Sequence, residues 1–326
     1  MQGFDAKKFL GKNSIWLALI ALVIFMTFAS PVFLAPQNII NLLTTEAIKG
    51  MMAVGVMFAI LSRGIDLSTA GVLALSSVVT ASLVQQIDAS NKMFEGLYPV
   101  APIIAVLAGI SVGLVFGLIN GCLIAYTKIP PFIATLGSML VTRAIAQIYT
   151  NAFPVPNLSP EFLAIGRGEV AGIPNVIIIF LIVLIVGGFL LTQTRFGKNV
   201  FAIGGNEVAA RVAGINVERN IIKVYVFCSM CAALAGVLLT ARAGSGNSNL
   251  GIGFELDAIA AATVGGVSHS GGIARISGVI AGILLLGVVN NGLLLLGISP
   301  YYQNVVRGVI IVGAVVFDMR RNRRKN

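Results

Sequence analysis

His269 is the only histidine in the chain, and serines stand on both sides of it in the run GGVSHSGG, residues 265–272. Nucleophilic catalysis needs a hydroxyl and an imidazole base in contact, with a third group orienting the base. Residues adjacent in sequence point apart on a helix, and Asp257 belongs to an earlier apolar run. The four glycines of this stretch read instead as a tight connection between two spans. Cys228 and Cys231 are three apart on one helix face, but no further Cys or His lies near them to complete a metal or redox site. No metal, no cofactor and no enzymatic activity is expected. No G-x-x-x-x-G-K-[ST] sequence occurs, so any ATP that drives this protein is bound by another chain. The twelve acids fall almost entirely at span ends or in loops, where they form no proton relay. Among them, Asp66 in GIDLS is placed to cap the helix that follows.

A second kind of chemistry, docking, is written in residues 194–220. Asn206 is a suitable N-cap, and Glu207 follows where negative charge favours a helix start. EVAARVA then makes about two turns, with Glu207 and Arg211 four apart on one face. Val208 and Val212 share the neighbouring face. Gly214 stands where a C-terminal cap belongs. A helix this short is not stable alone in water, so it must lie against a partner or its own membrane domain.

These residues sit in an oily frame. Apolar residues make up 57% of the 326, charged residues 10%, and the mean hydropathy is +0.96. A soluble domain carries roughly 25% charge. The pattern predicts ten helical spans, at 14–34, 47–62, 67–86, 100–126, 131–150, 174–193, 221–241, 256–268, 277–297 and 301–319. The eighth is short for an ordinary crossing. The first follows a basic segment but is too long for the apolar core of a signal peptide, and reads as a retained helix. The net charge of +10 lies largely beside the spans, which points to the lipid surface and not to nucleic acid. With both termini in the cytoplasm, all but six of the 22 Lys and Arg fall inside, the six being Lys49, Lys92, Arg143, Arg167, Arg242 and Arg307. Residues 1–326 then form one transmembrane domain with cytoplasmic tails 1–13 and 320–326 and a cytoplasmic loop 194–220.

Two internal echoes recur five spans apart. LINGCLIAYTKIPPF in the fourth span is matched by VNNGLLLLGISPYY in the ninth, and GIDLSTAG by ELDAIAAA. An odd shift reverses direction, so the expected architecture is an all-α membrane protein with a 5+5 inverted repeat. Arg143 and Arg307 lie inside the fifth and tenth spans, where each must snorkel, pair or face water. Both spans begin with proline and aromatics, and Phe132, Thr135, Ser138, Tyr301, Tyr302 and Gln303 offer rings, hydroxyls and an amide that could line a polar path. The outer loop from Asn151 to Pro174, stiffened by Pro154, Pro156 and Pro160, carries Glu161, Arg167 and Glu169 as a mixed-sign rim for a soluble partner.

EVAARVAGI resembles the Glu-Ala-Ala loop of ABC importer permeases, with Ala209, Ala210 and Gly214 at the Ala-Ala-x-x-x-Gly spacing; Val208 separates Glu207 from the paired alanines. The resemblance extends to the monosaccharide permeases of bacterial ABC importers through GIDLSTAGVLALSS, GLINGCLIAYTKIPPFIATLGSMLVTRAIAQIYT, TRFGKNVFAIGGNEVAARVAGINV, ELDAIAAATVGGVSHSGG and NNGLLLLGISPYYQNVVRGVII. QQIDASNKMFE and NLG are similar to the galactose/methyl-galactoside branch, while GIDLS and NNGLLLLGISPYYQ are similar to the ribose branch. The resemblance implies the type II importer fold and a homodimer with a second permease copy in the bacterial inner membrane. It also implies a cytoplasmic ATPase docked at residues 206–214 and a periplasmic sugar-binding protein. The implied cargo is galactose, methyl-galactoside or glucose, with ribose or xylose as the alternative. An ion-coupled secondary transporter is the competing class.

Overall fold

The computed structural model describes residues 6–89 and 92–323. Of the tail residues counted above as cytoplasmic, Arg324 and Lys325 lie outside the described residues. Helices α1 (Ala6–Ala29), α2 (Pro36–Leu61), α3 (Thr69–Leu83), α4 (Pro102–Thr127) and α5 (Pro131–Thr150) make the first half. The connection holds α6 (Pro160–Arg167) and a small antiparallel hairpin of β1 (Glu169–Val170) with β2 (Ile173–Pro174). Helices α7 (Asn175–Gln193), α8 (Arg195–Gly205), α9 (Glu207–Val212), α10 (Val217–Ala243), α11 (Phe254–Val264), α12 (Ile276–Leu295) and α13 (Pro300–Arg323) complete the chain. Six of them, α2, α4, α5, α7, α10 and α12, are long and apolar enough to cross a membrane. The fold is an all-α polytopic membrane fold.

Proline opens α2, α4 and α5, where its missing N–H would have had no helical partner. The second span begins at Pro36, well ahead of the expected residue 47. Thr44 and Thr45 hide their hydroxyls in the helix, donating to the carbonyls of Ile40 at 2.7 Å and Asn41 at 2.8 Å. Such back-bonding makes a polar-looking stretch tolerable in a membrane helix. The correction moves Lys49 from the end of a span to its middle. The loops gain two helices that hydropathy alone does not show. Thr194 caps α8 by accepting from Gly197 N at 3.2 Å, and Ser159 caps α6.

Helix α10 is the central post, packed on α2, α3 and α4. Its contact with α4 is backbone to backbone. Gly109, Gly113, Gly117 and Gly121 recur every fourth residue along α4, and a Cβ at Gly117 would stand 2.6 Å from Val226 Cα. A small-residue stripe of this kind permits close approach where no hydrophobic effect drives helices together. Its signal, four glycines at helical spacing, is visible in the sequence.

The packing repeats under the five-span shift. Helix α3 lies on α10 as α11 lies on α2, α3 meets α4 and α5 as α11 meets α12 and α13, and α4 meets α10 as α12 meets α2. The expected repeat accords with this exchange. Helix α11, at 11 residues, is about 16 Å long, roughly half a bilayer core.

Candidate functional site

One face of the bundle carries α9. Asn206 Oδ1 accepts from Ala209 N at 3.0 Å, and Gly214 closes the helix at φ +81° while Ile215 N donates to Ala210 O at 3.0 Å. Ala210 is buried with Ile203 and Val217, which seats α9 on α8 and α10. Ala209 faces outward, and Val208 and Val212 are 73% and 85% exposed. Arg211 pairs with Glu207 at 3.2 Å and Glu218 at 2.8 Å, and Glu218 also accepts from Lys128 at 3.1 Å. Hydrogen bonding to Glu218, then to Glu207, pushes the Arg211 guanidinium up from its ordinary pKa. The result is a rigid knob with an apolar tip.

The knob is bolted to α2. Arg63 at the end of α2 donates Nε to Gly204 O at 2.7 Å and Nη2 to Gly205 O at 2.6 Å. Gly272 N, from the glycine-rich turn, donates to Leu61 O at 3.0 Å. Three connections therefore meet at one point. In the same turn His269 Nε2 lies 2.8 Å from Thr263 Oγ1, a contact inside the fold.

The opposite face carries α6 and the hairpin. Glu161, Arg167 and Glu169 are exposed there, and Arg167 Nε donates to Arg242 O at 3.0 Å. Among the expected path residues, Phe132, Tyr301 and Tyr302 are exposed and Ser138 and Gln303 half-buried. Thr135 departs from the expectation. It is fully buried, and its hydroxyl donates to Ile65 O at 3.0 Å and Pro131 O at 2.9 Å. One turn into a helix, a threonine that finds a carbonyl on a neighbouring loop turns inward.

The buried interior overturns the reading that acids stay at span ends. Lys49 Nζ lies 3.3 Å from Glu46 Oε1 and 3.0 Å from Asp257 Oδ2, and Arg307 Nε lies 2.7 Å from Asp257 Oδ1. Two cations and two carboxylates balance at the meeting of α2, α11 and α13, with α12 behind them at Gly287. Lys49 also stands 5.2 Å over the Phe254 ring. Arg143 is paired as well, donating Nη1 to Ser248 O at 2.8 Å. Asp66, the counterpart of Asp257 in the repeat, is fully buried and accepts from Ser68 N at 2.9 Å, just ahead of α3. The sequence hints at the network were Arg307 inside an apolar span, where it must snorkel, pair or face water, and Glu46 and Lys49 at helical i,i+3 spacing, obscured by the expectation that α2 starts at residue 47. Among the described residues no cluster of three or more His, Cys, Asp or Glu could hold a metal ion, and Cys228 and Cys231 are buried free thiols.

Comparison with known proteins agrees with this architecture. The family profile described as branched-chain amino acid transport system / permease component matches residues 38–315. The galactose/methyl galactoside import permease MglC of Escherichia coli K12 is 39% identical, with all of both chains covered. The ribose import permease RbsC of Bacillus subtilis is 42% identical over 94% of this chain and 92% of its own. The D-allose transport system permease AlsC of Escherichia coli K12 is 40% identical over 92% of this chain and 88% of its own. No solved structure gives a significant match. With the family profile and full-length relatives in agreement, the chain belongs to this permease family, as a sugar-importing ABC permease and a transport subunit, not an enzyme.

Proposed function

We propose that this chain is the membrane-spanning subunit of an importer that moves galactose or a methyl galactoside across the bacterial inner membrane. The observation that carries the proposal is the exposed, doubly capped α9 knob fastened to the end of α2, in a chain with no nucleotide-binding sequence of its own. Both termini and α9 face the cytoplasm, where the apolar tip of Val208 and Val212 seats in an ATPase subunit, framed by Asn206, Glu207, Ala209, Arg211 and Gly214. Motion of that subunit reaches α2 through Arg63. Helices α5 and α13 keep broad exposed apolar faces, which meet a second copy of the chain and lipid. Phe132, Ser138, Tyr301, Tyr302 and Gln303 line the sugar path between the two copies, with Thr135 anchoring α5 from behind. The galactose assignment leans on the full-length relative and the ribose alternative on the second.

The test is uptake by a reconstituted complex of permease, ATPase and binding protein. Galactose should accumulate only with ATP, and ribose should not. Ribose uptake without galactose uptake would transfer the assignment to the ribose branch. Uptake abolished by an ionophore and indifferent to ATP would overturn the importer reading. Val208→Asp with Val212→Asp should reduce recovery of the ATPase with the permease at least tenfold and leave the fold intact, because both side chains are exposed. Full recovery would remove α9 from the interface.

On the periplasmic side, Glu161→Lys with Glu169→Lys should raise the binding-protein concentration for half-maximal ATP hydrolysis severalfold and change its salt dependence. An unchanged titration at low and high salt would show that this loop does not receive the binding protein.

A further inference from the structure

The connection from Gly244 to Gly253, which joins α10 to α11, and the first turn of α11 up to Asp257 are gripped by two arginines from different helices. Arg143 of α5 holds the Ser248 carbonyl at 2.8 Å. Arg307 of α13 holds Asp257 at 2.7 Å and also stands against Gly253, where a Cβ would come within 3.2 Å of its Nη1. The segment is thus held at two places, a main-chain carbonyl and a carboxylate, each by a guanidinium from a separate helix. A third attachment runs to the loop ahead of α6: Val155 N donates to Gly246 O at 2.8 Å, and Gly246 N to Val155 O at 3.0 Å. Ser248 in the middle is 1% exposed.

We propose that residues 244–257 are the periplasmic gate of the sugar path, and that Arg143 and Arg307 are the positioning residues that hold it shut. The proposal rests on the importer reading above. Inside a membrane protein a guanidinium pair is favourable only near its ideal geometry, and a buried charge that loses its partner is strongly disfavoured. Separation of α5 from α13 therefore strips at least one arginine from the segment. Gly251 and Gly253, at φ +71° and +84°, give the backbone conformations that a side chain would resist, so the segment can hinge there. Asp257 stays tied to α2 through Lys49 at 3.0 Å, which leaves the far end of the segment anchored while the rest swings. A binding protein that settles on the loop at Val155 pulls on the same segment directly through the Gly246 pairing.

The experiment places Ser248→Cys in the full complex of permease, ATPase and binding protein in nanodiscs, with Cys122 replaced by serine. Arg143 binds the main-chain carbonyl at 248, so its grip survives this change. The thiol should be inert to a small charged methanethiosulfonate at rest and react at least tenfold faster during binding-protein-driven ATP turnover. Arg143→Gln or Arg307→Gln should give the fast rate without binding protein and release ATP hydrolysis from its dependence on that protein. Arg307→Lys should restore a slow resting rate. A thiol that stays inert while the parental complex is turning over overturns the gate, whatever the variants do. Glutamine variants that assemble yet react at the parental resting rate overturn the role of the arginines. The parallel proteoliposome assay separates this from the function itself: sugar uptake with an inert thiol sinks only the gate, and absent uptake sinks the importer reading.

Discussion

Lys49→Met should destabilise the folded permease by about 3–5 kcal/mol, the usual penalty for leaving a buried charge without its partner. The side chain lies 3.3 Å from Glu46 and 3.0 Å from Asp257, and methionine keeps an unbranched chain one atom shorter but removes its charge. Two carboxylates are then left with Arg307 alone, in a setting that offers little water. Adding Glu46→Gln to Lys49→Met restores balance, because the Arg307–Asp257 pair at 2.7 Å remains. The double variant should recover at least half of the loss, since a neutral replacement of a buried pair is often well tolerated. The measurement is denaturant-driven unfolding of the purified permease in a fixed detergent. Equal stability of the parent, the single and the double variant would show that the four charges are not energetically coupled.

Gly204→Ala should separate α9 from the membrane bundle, while Gly205→Ala, one residue on, should be silent. A Cβ at 204 would collide with the Leu61 carbonyl and come within 2.6 Å of Gly272 N, and both are backbone atoms that have nowhere to go. A Cβ at 205 meets nothing within 4 Å. Relieving the collision pushes α8 away from α2 and breaks the Arg63 bonds to Gly204 O and Gly205 O. Hydrogen bonds from a charged group contribute about 1.5–3 kcal/mol each, so the joint loses roughly 3 kcal/mol or more. Transport should fall at least tenfold while the permease still reaches the membrane. A Gly204→Ala variant that transports like Gly205→Ala would show that force does not pass from α9 to α2 at this joint.

The contrast between these neighbouring glycines marks the boundary of what sequence could say. The spans, the class of protein, the missing nucleotide site and the capped helix at 206–214 were all legible, because each depends on local chemistry. Apolar runs must be helical in lipid, where every backbone group needs an internal partner. Asn206 caps the helix whose third amide it meets, and Gly214 takes a positive φ, through contacts made within a few residues. The start of α2 was misread for the same local reason in reverse: hydropathy counts Thr44 and Thr45 as polar, although their hydroxyls are spent on their own helix. Only the tertiary structure decided where the charges went. Glu46 and Lys49 meet Asp257 and Arg307 from regions more than 200 residues along the chain, and Arg143 meets Ser248 105 residues on. A lone charge in an apolar run carries no label for its partner. Which cation faces which carboxylate is set by how α2, α5, α11 and α13 cross, with close approach at glycines such as Gly282 of α12 against Ala261 of α11 and Gly287 of α12 against Glu46 of α2. Gly204 and Gly205 are equivalent letters in the sequence. They differ because one of them faces the carbonyl of a helix that ends 143 residues earlier.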